Sequence, residues 1–128
     1  MEFTENEIAK IVFESGLRIH KTLGPGLLES AYEECLYFDL VNAGLEVEKQ
    51  KSLPLIYKEI KLDAGYRVDF LIENKVIIEI KSVKTLEDVH KKQLLTYLKL
   101  SQIEIGILVN FNVAFLKDKE SIIRIINN

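Results

Sequence analysis

Two strongly apolar segments near the middle of the chain carry charged residues, and a folded core accepts that combination only when the charges have partners. The first segment, 66–70, contains Asp69, and the second, 77–82, contains Glu79 and Lys81. Apolar strands rarely bury such charges without a compensating group. Two carboxylates and a lysine brought together are the groups that a hydrolytic site for a divalent metal ion requires.

The three residues 73–75 between these segments predict a tight hairpin, because they include an asparagine, which tolerates the left-handed backbone of such a turn. A three-residue loop pairs Ile72 with Val76. It also sets Asp69 opposite Glu79, whereas a two-residue loop would shift the register by one and separate them. Like charges directly opposite each other destabilise a sheet, and a bound cation would reverse that effect. The same pattern also describes an ordinary strand with one wet face, so both interpretations stay open on these residues alone.

Length and composition predict one soluble globular domain spanning 1–128, since 48% of the 128 residues are hydrophobic and 29% are charged. No apolar run approaches the roughly 20 residues of a membrane span. The acidic N-terminus lacks the layout of a signal peptide. The one cysteine, Cys35, lies in a helical pattern and is interpreted as a small core residue. We therefore expect a cytoplasmic protein without a membrane partner.

The net charge of −3 is unusual for a protein that binds nucleic acid, because phosphates are normally neutralised by a basic surface. Local lysines could still contact phosphate, namely Lys81, Lys84, Lys91 and Lys92. A bound divalent ion would add positive charge at the same place. For Lys91 and Lys92 the alternative is a solvated helix face.

Hydrophobic periodicity and turn residues predict an α/β fold with a mixed sheet flanked by helices. The predicted order is two helices at 4–22 and 27–43, a strand at 46–57, the two strands of the Asp69–Glu79 hairpin, a helix at 86–100, a strand at 103–111, and a final hairpin of 113–116 with 121–126. Pro54 predicts a kink or an edge in the first strand. The passage 76–111 predicts a right-handed crossover between parallel strands.

Three motifs coincide along this order. Residues 26–32 have the sequence GLLESAY, which is a GxxExxY pattern. Asp69 with residues 79–81 matches the D…ExK core of the restriction-endonuclease-like, or PD-(D/E)XK, nucleases. Residues 93–97 match the QxxxY element of the RecB-like branch of these nucleases. Over nearly its whole length the chain resembles the small GxxExxY family of presumed nucleases within that superfamily. Val68 stands where the superfamily motif often has proline. The resemblance implies a restriction-endonuclease-like core.

The resemblance also implies a role for each matched residue. Asp69 and Glu79 correspond to the core metal ligands. The backbone carbonyl of Ile80 is implied as a further ligand, and Glu29 as an acidic residue presented to the metal from the second helix. Lys81 corresponds to the lysine that orients or polarises the attacking water.

Two residues of the third predicted helix, Gln93 and Tyr97, resemble residues that support the site or contact nucleic acid. Simpler interpretations exist for the helical residues. A carboxylate in a first helical turn, such as Glu29, is favoured by the helix dipole in any protein. Gln93 and Tyr97 are four residues apart on one helical face and could form a half-buried polar pair.

The expected cofactor is Mg²⁺ or Mn²⁺, because the implied ligands are oxygens and no His or Cys cluster indicates zinc. The expected function is a divalent-metal-dependent nuclease that hydrolyses phosphodiester bonds, in DNA in preference to RNA, through a metal-activated water. A homodimer is one arrangement open to it. The alternative is a catalytically silent nucleic-acid-binding or assembly module that retains the nuclease fold. The intact set of Asp69, Glu79 and Lys81 favours the enzyme, whereas the acidic net charge favours the module. A third, weaker hypothesis is a metal-dependent hydrolase of a small phosphorylated ligand.

Overall fold

The computed structural model describes residues 2–128, with the side chains of all but 63–65. The elements are helices α1 (Glu5–Leu23), α2 (Glu29–Asn42) and α3 (Asp88–Ser101), and strands β1 (Val47–Tyr57), β2 (Ile60–Ile72), β3 (Val76–Lys81), β4 (Ile105–Asn110) and β5 (Ile122–Ile126). The strands form one sheet in the order β1-β2-β3-β4-β5. Only β3 and β4 pair in parallel among these neighbours. The mixed sheet and its helices confirm the predicted α/β class.

The helix ends follow from local sequence. The Thr4 side chain accepts a hydrogen bond from the Glu7 N–H at 3.1 Å, and the Glu7 carboxylate accepts one from the Thr4 N–H at 2.9 Å. This reciprocal capping box begins α1. Gly24 and Gly44, with φ of 70° and 91°, follow the ends of α1 and α2, where few side chains tolerate that backbone conformation. In the described part of the chain, no helix has the length and apolar character needed to cross a membrane.

The sheet is covered by helices on both faces, which makes a three-layer sandwich. Ile78 and Ile80 of β3 pack in a cluster with buried residues of α1 and α2. Ile77, which precedes them in the chain, packs in a second cluster with Leu94 and Leu98 of α3. Because its two faces are both covered, β3 is buried at five of its six positions, as expected for a strand with a parallel neighbour.

The central hairpin has the register that a three-residue loop predicts. Ile72 pairs with Val76, and Phe70 pairs with Ile78. Glu73 and Asn74 have positive φ angles of 52° and 53°, so the turn uses two left-handed residues. Counted from the turn, the last pair of the backbone ladder between β2 and β3 is Phe70 with Ile78, so Asp69, the next residue along β2 in that direction, lies outside the ladder.

Two further predictions about the sheet are confirmed. The passage from β3 through α3 to β4 joins parallel strands. Strand β1 lies at an edge, and its pairing with β2 shifts between Leu53 and Leu55, on either side of Pro54. A proline cannot donate to a ladder, so an edge strand with an irregularity is where it is tolerated.

The strand predicted at 113–116 is wrong, and the sheet has five strands where six were expected. Residues 112–115 form bends, and β5 pairs with β4 instead of with this segment. The Val113 carbonyl oxygen lies 2.7 Å from Nε2 of His20 in α1. This oxygen therefore contacts a helix side chain, whereas in a strand it would accept a hydrogen bond from a neighbouring strand. Tertiary contacts therefore outweighed the local apolar pattern.

Candidate active site

Strand β2 changes its packing side at Asp69. Val68 packs with the cluster on the α3 side of the sheet, whereas Phe70, two residues later, packs with the cluster on the α1 and α2 side. In a regular strand these two residues would share a face. On the neighbouring strand, Gln50 lies between the partners of Val68 and Phe70 and has a positive φ of 49°. The irregularity places the Asp69 side chain at the end of the β2–β3 ladder.

Asp69 and Glu79 replace the backbone ladder with side-chain hydrogen bonds at this point. The Asp69 N–H donates to Oε2 of Glu79 at 2.7 Å. The Ile80 N–H donates to Oδ2 of Asp69, also at 2.7 Å. The structure therefore brings together the two carboxylates that the hairpin register set opposite each other.

The electrostatics of this pair are unfavourable in the absence of a cation. Glu79 is only 6% exposed. Burial, and after it the charge of Asp69, raises the pKa of Glu79 to about 8, against the opposing effects of the Asp69 N–H and Lys81. Burial also raises the pKa of Asp69, opposed by the Ile80 N–H, Gln50 and Lys81. Two neighbouring carboxylates that resist ionising together are stabilised by a positive ion between them.

Glu29 reaches this region from the first residue of α2. Its Oε2 accepts a hydrogen bond from the Ser82 N–H at 3.0 Å, directly after the end of β3. Its negative charge raises the pKa values of both Asp69 and Glu79. The structure thus places Glu29 within electrostatic range of the pair.

The loop before α2 is held by Tyr32, the last residue of the GxxExxY pattern. Its buried hydroxyl donates to the Gly24 carbonyl at 2.6 Å and accepts from the Leu27 N–H at 3.2 Å. The Tyr32 ring stacks on Phe111, with ring centroids 4.4 Å apart. The Ser82 hydroxyl donates to the Leu27 carbonyl at 2.7 Å. These bonds fix the loop that presents Glu29.

Lys81 is the last residue of β3 and is half-buried. Its positive charge acts to lower the pKa values of Asp69 and Glu79. Within the described residues, no ion pair of 4.0 Å or less involves Lys81. The lysine therefore lies beside the carboxylate pair without being locked to either member.

The two predicted residues of α3, Tyr97 and Gln93, differ in burial and in their contacts. Tyr97 is 6% exposed, and its ring meets that of Tyr66 edge-on at 6.1 Å. Burial, followed by the charge of Glu79, raises the pKa of Tyr97. Gln93, one turn earlier, is exposed and makes no side-chain hydrogen bond to the rest of the described chain.

Two residues that the sequence did not single out are linked to the pair: Gln50 contacts Asp69, and Glu33 contacts Gln50. The Gln50 side-chain amide donates to Oε1 of Glu33 at 2.6 Å and to Oδ1 of Asp69 at 3.2 Å. Burial raises the pKa of Glu33, and the bond from Gln50 opposes this. One signal was available, because Glu33 follows Glu29 by four residues and so lies on the same helical face. Gln50 could be found only through the β1–β2 register.

The donor set fits a hard divalent cation in part. Asp69 and Glu79 offer carboxylate oxygens, the ligands that Mg²⁺ and Mn²⁺ prefer, and each oxygen keeps a lone pair beyond its hydrogen bond. In the range 2–128 described here, however, no three His, Cys, Asp or Glu side chains are grouped closely enough to hold an ion. Glu29 is the neighbouring acid, and its Oε2 accepts the Ser82 N–H.

Comparison with known proteins agrees with this geometry. The sequence model of the PD-(D/E)XK nuclease superfamily matches residues 6–125. The chain belongs to this superfamily. The match to the PD-(D/E)XK nucleases includes all or most of every element from α1 to β5, and it includes all of the candidate site residues.

Two other comparisons add little to that assignment. A search of the curated proteins finds no significant match. Among solved structures, the chain is similar to the crystal structure of SSO0001, with 23% sequence identity and a TM-score of 0.43. The similarity covers 94% of this chain and 65% of that one, so this chain spans about two thirds of the length of the other.

Proposed function

We propose that this protein is a divalent-metal-dependent nuclease that hydrolyses phosphodiester bonds in nucleic acid, DNA in preference to RNA. The observation that carries the proposal is the buried pair of Asp69 and Glu79 beside Lys81, in a chain of the PD-(D/E)XK nuclease superfamily. A structural core gains nothing from two neighbouring buried carboxylates whose pKa values are both raised. Such a pair is useful where a cation has to bind.

The proposed ligands of Mg²⁺ or Mn²⁺ are Asp69 and Glu79, together with Glu29 and the backbone carbonyl of Ile80. When bound there, the ion would activate the attacking water and neutralise charge on the phosphate oxygens. The chain's own contribution is to orient the ligands. Backbone N–H groups hold one oxygen each of Asp69 and Glu79, and Glu29, at the start of α2, would approach the ion from the helix side.

Lys81 is the proposed catalytic cation. Its ammonium group would orient the water and place a fixed positive charge where the phosphate gains negative charge. Tyr97 would support the buried side of the pair, and the exposed Gln93 would contact nucleic acid. The net charge of −3 makes this local positive charge important, because the chain as a whole repels phosphate. We further propose a cytoplasmic location and a homodimer whose two sites could act on two strands.

The test is cleavage of single- and double-stranded DNA and RNA in the presence of Mg²⁺, Mn²⁺ or EDTA. Wild type, Lys81→Ala and Lys99→Ala should be purified in parallel, since Lys99 is an exposed lysine at the far end of α3 and controls for loss of one positive charge. We expect cleavage that needs metal, survives Lys99→Ala and is lost in Lys81→Ala. A wild type that cleaves none of the four substrates with metal would contradict the proposal and favour the catalytically silent module.

A further inference from the structure

The Asp69 carboxylate is held from both neighbouring strands at once. From β3, the Ile80 N–H donates to Oδ2 at 2.7 Å, and from β1, the Gln50 amide donates to Oδ1 at 3.2 Å. With a donor on each oxygen, rotation of the carboxylate about its last side-chain bond is restrained. Without Gln50, a single hydrogen bond would remain.

The Gln50 amide is itself oriented by α2. Its nitrogen also donates to Oε1 of Glu33 at 2.6 Å, so both N–H bonds of the amide are directed at carboxylates. Glu33, Gln50 and Asp69 therefore form one continuous chain of hydrogen bonds from α2 across β1 to β2. Deleting any member would leave the next one with fewer restraints.

The backbone of Gln50 is in an unfavourable conformation. Its φ of 49° is left-handed, which is costly for a residue other than Gly, Asn or Asp, and it interrupts an otherwise extended strand. Its neighbours Lys49 and Lys51 pair normally with β2. Backbone strain of this kind concentrates at functional sites, where it directs a side chain to a required position. Here the directed side chain ends on Asp69.

We propose that Gln50 is a positioning residue for the metal site, with Glu33 as its anchor: the amide orients the Asp69 carboxylate for metal binding. The inference rests on the proposed function and adds two residues to it. Groups that orient a metal ligand typically contribute about 10- to 100-fold to metal affinity or activity.

The experiment measures Mn²⁺ affinity by isothermal titration calorimetry for wild type, Gln50→Ala, Gln50→Gly and Gln102→Ala. Gln102 is the matched control, because it is an exposed glutamine with a similar left-handed φ of 58° at the end of α3, outside the site. Gln50→Gly deletes the amide while relieving the backbone strain. We expect both Gln50 variants to bind Mn²⁺ about 10- to 100-fold more weakly and Gln102→Ala to bind as wild type does.

The anchor is tested by a double-mutant cycle. If Glu33 acts through Gln50, Glu33→Ala should weaken Mn²⁺ binding on its own but add little to Gln50→Ala. Saturating Mn²⁺ should restore most of the cleavage by Gln50→Gly, because the defect is in metal affinity and not in the chemical step. Circular dichroism in EDTA checks the fold of each variant.

The outcomes separate the two proposals. If wild type binds Mn²⁺ and Gln50→Gly binds it equally well, the positioning role is refuted and the proposed function stands. If Gln50→Ala binds weakly but Gln50→Gly binds normally, the effect came from backbone strain, and the inference is again refuted. A wild type without Mn²⁺ affinity refutes the proposed function and this inference with it.

Discussion

The raised pKa of Glu79 predicts an unusual dependence of stability on pH. Burial and the neighbouring Asp69 raise the pKa of Glu79 from 4.5 to about 8 in the folded protein without metal. Between these two values the unfolded chain has released the proton that the folded protein still holds. The free energy of unfolding therefore falls as pH rises through this window, and the stability contributed by the protonated Glu79 is lost above pH 8.

The size of the effect follows from the same numbers. One proton gives a slope of at most about 1.4 kcal/mol per pH unit, and a pKa difference of about 3.5 sets a ceiling of about 5 kcal/mol. Asp69 titrates together with Glu79, so part of this free energy is shared between the two carboxylates. We expect the wild type to lose at least about 2 kcal/mol through this pair between pH 5 and pH 8.

The perturbation is Glu79→Gln, which keeps the size of the side chain and an oxygen that can accept the Asp69 N–H, but cannot ionise. Urea unfolding in EDTA should be measured from pH 5 to pH 9 for wild type, the variant and Glu104→Gln, which removes an exposed carboxylate elsewhere. The advantage of Glu79→Gln over wild type in free energy of unfolding should grow as pH rises toward 8 and then level off, while Glu104→Gln follows wild type. Groups that titrate in both proteins cancel in the difference. Parallel curves for wild type and Glu79→Gln would refute the reasoning.

Three further predictions concern the site and its support. Lys81→Ala should lower kcat by about 10²–10³ with the fold intact, because one positioned charge is lost at the reacting centre; cleavage at the wild-type rate would exclude the role. In urea unfolding, the free energy of unfolding of the wild type should rise by about 2.7 kcal/mol at a Mn²⁺ concentration of roughly 100 times the Kd. Asp69→Asn should lose most of that gain, while in EDTA it should be at least as stable as the wild type. Tyr32→Phe leaves the Gly24 carbonyl and the Leu27 N–H without their partner, and it should lower the free energy of unfolding by about 1–3 kcal/mol. Unchanged stability in thermal or chemical unfolding would mean that Tyr32 only fills space.

Local chemistry allowed much of the fold to be predicted. A Thr and a Glu three residues apart cap α1, and a turn with two left-handed residues sets the register of the β2–β3 hairpin. These features depend on interactions between residues close in the chain, so the sequence contains them directly. The same hairpin register predicted that Asp69 and Glu79 would be close together, which is the centre of the candidate site.

The incorrect prediction at 113–116 has a different origin. The segment is apolar enough for a strand, but whether it joins a sheet depends on whether an edge is free to receive it. Strand β5 occupies the place beside β4, and His20, far away in the chain, contacts the Val113 carbonyl. Competition among distant partners is not visible in a local pattern.

The sequence by itself therefore determined the order of the elements from α1 to β4, the central turn and the identity of the paired carboxylates, because each depends on neighbours in the chain. The tertiary structure alone decided how those carboxylates behave. Gln50 is 19 residues from Asp69, and it meets that carboxylate only because β1 pairs with β2 and turns left-handed there. The pKa of Glu79 near 8 likewise arises from burial between layers contributed by separate parts of the chain. Desolvation and long-range pairing are properties of the assembled fold, and they change a charged strand motif into a candidate site for a cation.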